Sequence, residues 1–231
     1  MTPKNITGQL EEKFWELRPQ YPSYSAAWEA LQHWSEEDGR RRGLQNPGQG
    51  WNSASGGAFE LVSQKIIIEQ VNASPLAQRI RVTRGDETPL AVREGILSEL
   101  VWPKGQITQP ERAESNVDVV AMLLEGQEPT RVISVYSCKS SAAERYQQDL
   151  YWAEKLKARG IKFCFVTIDK GLLSYATSTS MGRKPGKTVT LAQAMYDRVY
   201  LLTHLQITSN PLVFKTIDHV VEDLTLWIEA Y

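Results

Sequence analysis

Two charged residues stand inside apolar, strand-like runs. A charge there is costly unless it reaches a strand end or a polar site. Asp118 lies near the start of "VDVVAMLL" (117–124), and Lys139 ends "RVISVYSCK" (131–139). The turn "GQEP" lies between the runs, so the pair reads as a hairpin. In a hairpin the start of one strand lies beside the end of the next. Asp118 and Lys139 are therefore expected to meet at one edge of a sheet. A carboxylate there can hold a divalent cation through oxygen. An ammonium beside it can stabilise developing charge on a phosphate, or orient a water. The same spacing also suits a purely structural ion pair.

The surrounding elements must hold that edge. After Lys139 a helix is expected over 141–159, stopped by Gly160. The run "IKFCFVTID" (161–169) is almost continuously apolar and reads as a strand buried on both faces. Strand, helix and strand then form a β-α-β crossover. Upstream, 56–72 reads as a helix with Phe59, Val62, Ile66 and Ile67 on its apolar face and Glu60 beside it. Two short helices are expected over 8–40, the second capped near Ser25. The Gly-rich segment 37–57, with Arg40, Arg41 and Arg42, reads as a loop. A short strand is expected at 79–84 and a helix over 90–105, ended by Pro103. A polar, basic loop spans 174–189. A helix (190–197), a strand-like run (199–207) and a C-terminal helix (212–230) complete the chain. The fold class is α/β: a central mixed sheet flanked by helices, with an N-terminal helical extension. Residues 1–50 form that extension and 51–231 the main domain.

Composition narrows the function. The 231 residues carry a formal charge of −1, so no global basic character marks the chain as a general nucleic-acid binder. A local basic cleft is still compatible with that balance. The two cysteines lie in apolar runs, which fits a reducing compartment rather than a disulfide framework. The three histidines show no zinc-ligand spacing. No signal peptide or membrane-length run is visible, so a soluble, cytoplasmic protein is expected.

The order of these parts resembles the PD-(D/E)xK nuclease core. That core has an acid on a helix, an Asp at a strand, and a lysine ending the next strand. Asp118 is preceded by Val117 rather than proline, and the position two before Lys139 is Ser137 rather than an acid. Serine at that place, followed by Glu144 and Arg145, resembles one branch of the type II restriction endonucleases, which cut CCGG-like or CC/GG-containing sites. In that branch the second acid has moved to the following helix. The resemblance covers about residues 56–169.

It implies a restriction-endonuclease-like core and Mg2+-dependent, sequence-specific cleavage of double-stranded DNA leaving a 5′-phosphate. Asp118 and the moved acid would hold the metal, with Glu60 as the helix acid and Lys139 near the attacking water. Asp149 and Glu154 are the candidates for the moved acid. Asp149 shares a helix face with Arg145 and is preferred. The branch's Arg-(Asp/Glu)-Arg element would fall on Ala143, Glu144 and Arg145, without its first arginine. A carboxylate can read cytosine and an arginine guanine in the major groove; Glu144 and Arg145 equally suit an exposed helix start. Ser140, Arg183, Lys184 and Lys187 are candidate DNA contacts, and Ser141 a helix cap.

A palindromic site implies a homodimer, and four of the seven tryptophans fall in residues 1–51, an apolar face for the core or a second subunit. A cognate DNA methyltransferase is implied as partner. A non-sequence-specific nuclease and an inactive DNA-binding module of the same fold are the alternative readings.

Overall fold

The computed structural model describes residues 3–101, 111–115, 117–141, 146–178 and 184–230. Three helices lead the chain: α1 (Pro3–Leu17), α2 (Tyr24–Arg41) and α3 (Pro47–Asn72). Then follow β1 (Ile80–Arg84), α4 (Leu90–Gly95), β2 (Ser98–Val101), β3 (Glu111–Glu114), β4 (Val119–Glu125) and β5 (Glu128–Cys138). The rest is α5 (Tyr146–Ala158), β6 (Lys162–Thr167), α6 (Lys170–Ala176), α7 (Lys187–Met195), β7 (Arg198–Leu201), β8 (Phe214–Thr216) and α8 (Val220–Glu229).

Six strands form one mixed sheet in the order β1-β4-β5-β6-β7-β8. The pairs β1–β4 and β4–β5 are antiparallel, and β5 to β8 run parallel. The expected hairpin is β4–β5. Gly126, at φ 65°, makes its tight turn, a backbone region that favours glycine. The expected crossover is β5-α5-β6. Gly160, at φ 72°, ends α5, and the Ile161 N–H donates to the Leu156 carbonyl at 3.0 Å.

Each central strand is buried on both faces, as its unbroken apolar sequence requires. Val119, Ala121, Tyr136 and Cys138 join a core with Phe14, Phe59 and Ile66 of the N-terminal helices and Trp227 of α8. Val120, Met122, Val135, Phe163 and Phe165 join a second core with Trp152 and Leu156 of α5 and Met195 of α7. Among the described residues no helix is long and apolar enough to cross a membrane.

Several boundaries differ from the sequence reading. The segment 37–57 is mostly helical, because α2 runs to Arg41 and α3 starts at Pro47. Proline suits the first turn of a helix, where its missing N–H has no intrahelical partner. Trp51, Ala54 and Ala58 are buried, and that burial outweighs the weak helix propensity of the local glycines. The three arginines therefore end a helix: Arg42 pairs with Asp38 at 2.7 Å and Arg40 with Glu36 at 3.7 Å. Ser23, not Ser25, caps α2, accepting from the Ala26 N–H at 3.2 Å. The helix expected over 90–105 stops at Gly95, and β2 then pairs with β3 in a separate two-stranded sheet. The strand-like run 199–207 ends at Leu201. The C-terminal segment holds a strand, β8, before its helix begins at Val220.

Candidate active site

The site is built where β4 begins and β5 ends. The Asp118 N–H donates to the Tyr136 carbonyl at 2.8 Å, which ties the start of β4 to β5. The Lys139 N–H donates to the Val166 carbonyl at 3.0 Å, so the parallel neighbour β6 fixes the lysine's backbone. Asp118 Oδ2 accepts the Cys138 N–H at 2.6 Å, and Asp118 Oδ1 lies 3.4 Å from Lys139 Nζ. The two residues do meet at one edge of the sheet, the one formed by strand ends where β4 begins and β5 finishes between β1 and β6, as the hairpin geometry requires.

A third charge joins from far upstream. Helix α3 packs across β1 and β5 and carries Glu60 over this edge. Glu60 Oε1 lies 2.5 Å from Lys139 Nζ. One ammonium thus stands between two carboxylates. The Asp118 side chain is 10% exposed and that of Glu60 35%, so the cluster opens to solvent on the α3 side. Burial pushes the Asp118 carboxyl above its ordinary range. Lys139 and the Cys138 N–H pull it back only in part, and Glu60 adds to the rise.

This donor set fits a hard divalent cation held by few protein oxygens. Mg2+ is bound through one or two carboxylates, with water and substrate phosphate completing its shell. Glu60 and Asp118 are two such carboxylates, and the buried Asp118 charge is incompletely compensated by the protein. A cage made by protein alone does not fit: among the described residues no three His, Cys, Asp or Glu side chains stand together as metal ligands.

The other sequence candidates lie in different settings. Asp149 is 3% exposed, and its Oδ2 accepts from the Tyr196 hydroxyl at 2.5 Å. The structure does not bring it into a three-acid group with Glu60 and Asp118. Glu154 is exposed on α5. Ser140 Oγ rests beside Gly56 of α3, and Lys184 is exposed just before α7. Glu144, Arg145 and Arg183 lie outside the described residues.

Two contributors escaped the sequence reading. One is the Cys138 N–H, a backbone group that no motif of side chains can reveal. The other is Gly85, whose N–H donates to the Asp118 carbonyl at 2.9 Å. A lone glycine after "RVTR" was the only signal available. Ser137 Oγ is fully buried and has no hydrogen-bond partner among the described residues.

The sequence model of the family described as BsaWI restriction endonuclease type 2 matches residues 100–223, more than half of the chain. That span includes Asp118 and Lys139, and Glu60 lies before it. The chain is similar in structure to the specific restriction endonuclease AgeI in its DNA complex. That match has a TM-score of 0.52 and 14% identity, covering 96% of this chain and 91% of that one. The pre-specific BsaWI–DNA complex matches with a TM-score of 0.45 and 14% identity, over 95% and 82% of the two chains. At this identity the AgeI match speaks for the fold alone. No curated protein matches the chain significantly.

Proposed function

The chain belongs to the BsaWI restriction endonuclease type 2 family, and from that premise we propose that Glu60, Asp118 and Lys139 are the groups with which it cuts DNA. Membership makes the protein a type II site-specific deoxyribonuclease, a hydrolase of phosphodiester bonds. The observation that carries the site assignment is the single ammonium set between two carboxylates at the sheet edge.

In this reading Glu60 and Asp118 hold the divalent cation, and the cation is Mg2+. The bound ion supplies positive charge at the scissile phosphate and a more acidic water. Asp118 is oriented by the Cys138 N–H, so its carboxylate would need little reorganisation to serve as a ligand. Lys139 keeps its backbone at the strand end and turns its ammonium toward the attacking oxygen, where it stabilises charge that grows in the transition state. The product carries a 5′-phosphate. Asp149, engaged by Tyr196, supports the packing of α5 and takes no share in holding the ion.

For recognition, Glu144 and Arg145 read cytosine and guanine within a palindromic, CCGG-like site. Ser140 contacts the DNA backbone, and Arg183 and Lys184 its backbone or its bases. Residues 51–231 form the catalytic and recognition unit, with 1–50 a helical extension. A twofold site calls for a homodimer. The host, whose DNA shares the cytoplasm with the enzyme, needs a cognate DNA methyltransferase.

The test is incubation of the protein with phage DNA and Mg2+, read on a gel. Discrete bands that vanish with chelator are expected. A smear would replace the site-specific reading by a non-specific one, and intact DNA would sink the catalytic assignment.

A further inference from the structure

We propose that Gly85 is a positioning residue for Asp118. Its missing side chain lets the chain leaving β1 close onto the Val117–Asp118 backbone, and that contact sets the direction of the carboxylate. The inference rests on the reading above, in which Asp118 holds the cation.

The space at Gly85 is unusually tight. A Cβ added there would lie 2.0 Å from the Val117 carbonyl oxygen and 3.1 Å from its carbonyl carbon. The obstacle is backbone, so no side-chain rotation relieves it. Gly85 is not among the glycines with positive φ, so the requirement is for room and not for a left-handed conformation. The approach is closed by a hydrogen bond, the Gly85 N–H donating to the Asp118 carbonyl at 2.9 Å.

The contact matters because of where it falls. Asp118 is held from the β5 side by the Tyr136 carbonyl and the Cys138 N–H. Gly85 holds it from the opposite side, one residue beyond the last β1–β4 pair, Arg84 with Val119. The chain after Gly85 is tied back in turn. Thr88 Oγ1 donates to the Arg84 carbonyl at 3.0 Å and stands 3.1 Å from Thr83 Oγ1. With that turn pinned, a methyl group at position 85 must displace residues 117 and 118, and the carboxylate moves with them. A residue that orients a ligand in this way acts on metal affinity.

The experiment compares the wild-type chain with Gly85→Ala, Gly95→Ala and Asp118→Ala. Ca2+ is titrated while thermal unfolding is followed, which reads ion binding without turnover. Duplex binding is measured separately in chelator. Gly85→Ala is expected to raise the Ca2+ midpoint about 10- to 100-fold, with DNA affinity unchanged within about twofold. Gly95, whose added Cβ would meet nothing within 4 Å, is the control and should leave the midpoint unchanged. A wild-type Ca2+ midpoint in Gly85→Ala overturns the proposal. Persistence of the Ca2+ response in Asp118→Ala would instead overturn the metal-site reading on which it rests. Should Gly85→Ala fail to fold, amide exchange in the wild-type chain decides the matter. The Gly85 N–H must exchange as slowly as that of Cys138, and Ca2+ must slow both together. Exchange of the Gly85 amide at the rate of an exposed turn overturns the proposal.

Discussion

Cys138 donates its backbone N–H to Asp118 Oδ2 at 2.6 Å, so the residue before Lys139 holds the carboxylate that Lys139 also approaches. The bond is charge-assisted and roughly twice as strong as a neutral one. It fixes one carboxylate oxygen on the backbone and leaves the other, Oδ1, beside the ammonium. A strand-end amide thereby becomes part of the site without contributing a side chain.

Removing the ammonium should strike catalysis and spare binding. Lys139→Ala is expected to lower the cleavage rate by about 10²-fold or more, while a mobility shift with cognate duplex in Ca2+ changes little. Cleavage at the wild-type rate would remove Lys139 from the site.

The Asp118 carboxyl is raised by burial, and this has a consequence for stability in the metal-free chain. Between the ordinary carboxylate value and the raised one, the folded state keeps a proton that the unfolded chain has released. The folded state binds more protons there, so stability falls as pH rises through that window. Asp118→Asn removes the penalty. Its unfolding midpoint in chelator should exceed that of the wild type at pH 8, with the gap closing in acid, and cleavage should be lost. A midpoint below the wild type's at pH 8 would contradict the balance of burial over the Lys139 attraction.

Asp149 sorts differently. Asp149→Asn should leave the Mg2+ concentration for half-maximal cleavage within about twofold, because the Tyr196 hydroxyl donates to this carboxylate and it forms no three-acid group with Glu60 and Asp118. Its measurable effect should be on stability, about 1–3 kcal/mol from a weakened buried hydrogen bond. A large rise in the Mg2+ requirement would restore Asp149 as a ligand.

The C-terminal strand and helix are tied to the sheet by a buried carboxylate. Asp223 is fully buried and accepts from Lys215 Nζ at 2.6 Å, the Tyr200 hydroxyl at 2.8 Å and Arg198 Nε at 3.1 Å. Asp223→Asn leaves two cations facing a neutral amide. A loss of about 3–5 kcal/mol is expected in urea unfolding, the usual cost of breaking a buried pair from one side.

The two thiols give a simple check on the sheet's interior. Burial raises Cys138 and Cys164 well above the usual thiol value, and both lie in the core. Neither should react with a disulfide reagent at pH 8 until the chain unfolds. Labelling should then follow the urea transition, and fast labelling of native protein would contradict the burial.

The Asp118–Lys139 pair was legible in the sequence because everything that brings it together is local. Two apolar runs, a tight turn and a charge at each outer end specify a hairpin and what meets at its edge. The crossover through α5 was legible for the same reason, its stop marked by Gly160. By its local pattern Glu60 was an acid beside an apolar stripe, and the family resemblance named it as the helix acid. Whether it faced solvent or the site depended on how α3 lies across β1 and β5, which long-range packing decides.

The start of α3 was hidden because the burial of Trp51 and Ala54 overrides glycine's poor helix propensity. The approach of Gly85 to Val117 left no more than a lone glycine in the sequence, since it joins two backbones across a sheet. Periodicity and turn chemistry act over a few residues and can be read directly. The meeting of α3, the end of β1 and the start of β4 at one carboxylate depends on contacts between segments distant in the chain, and only the packed structure decides it.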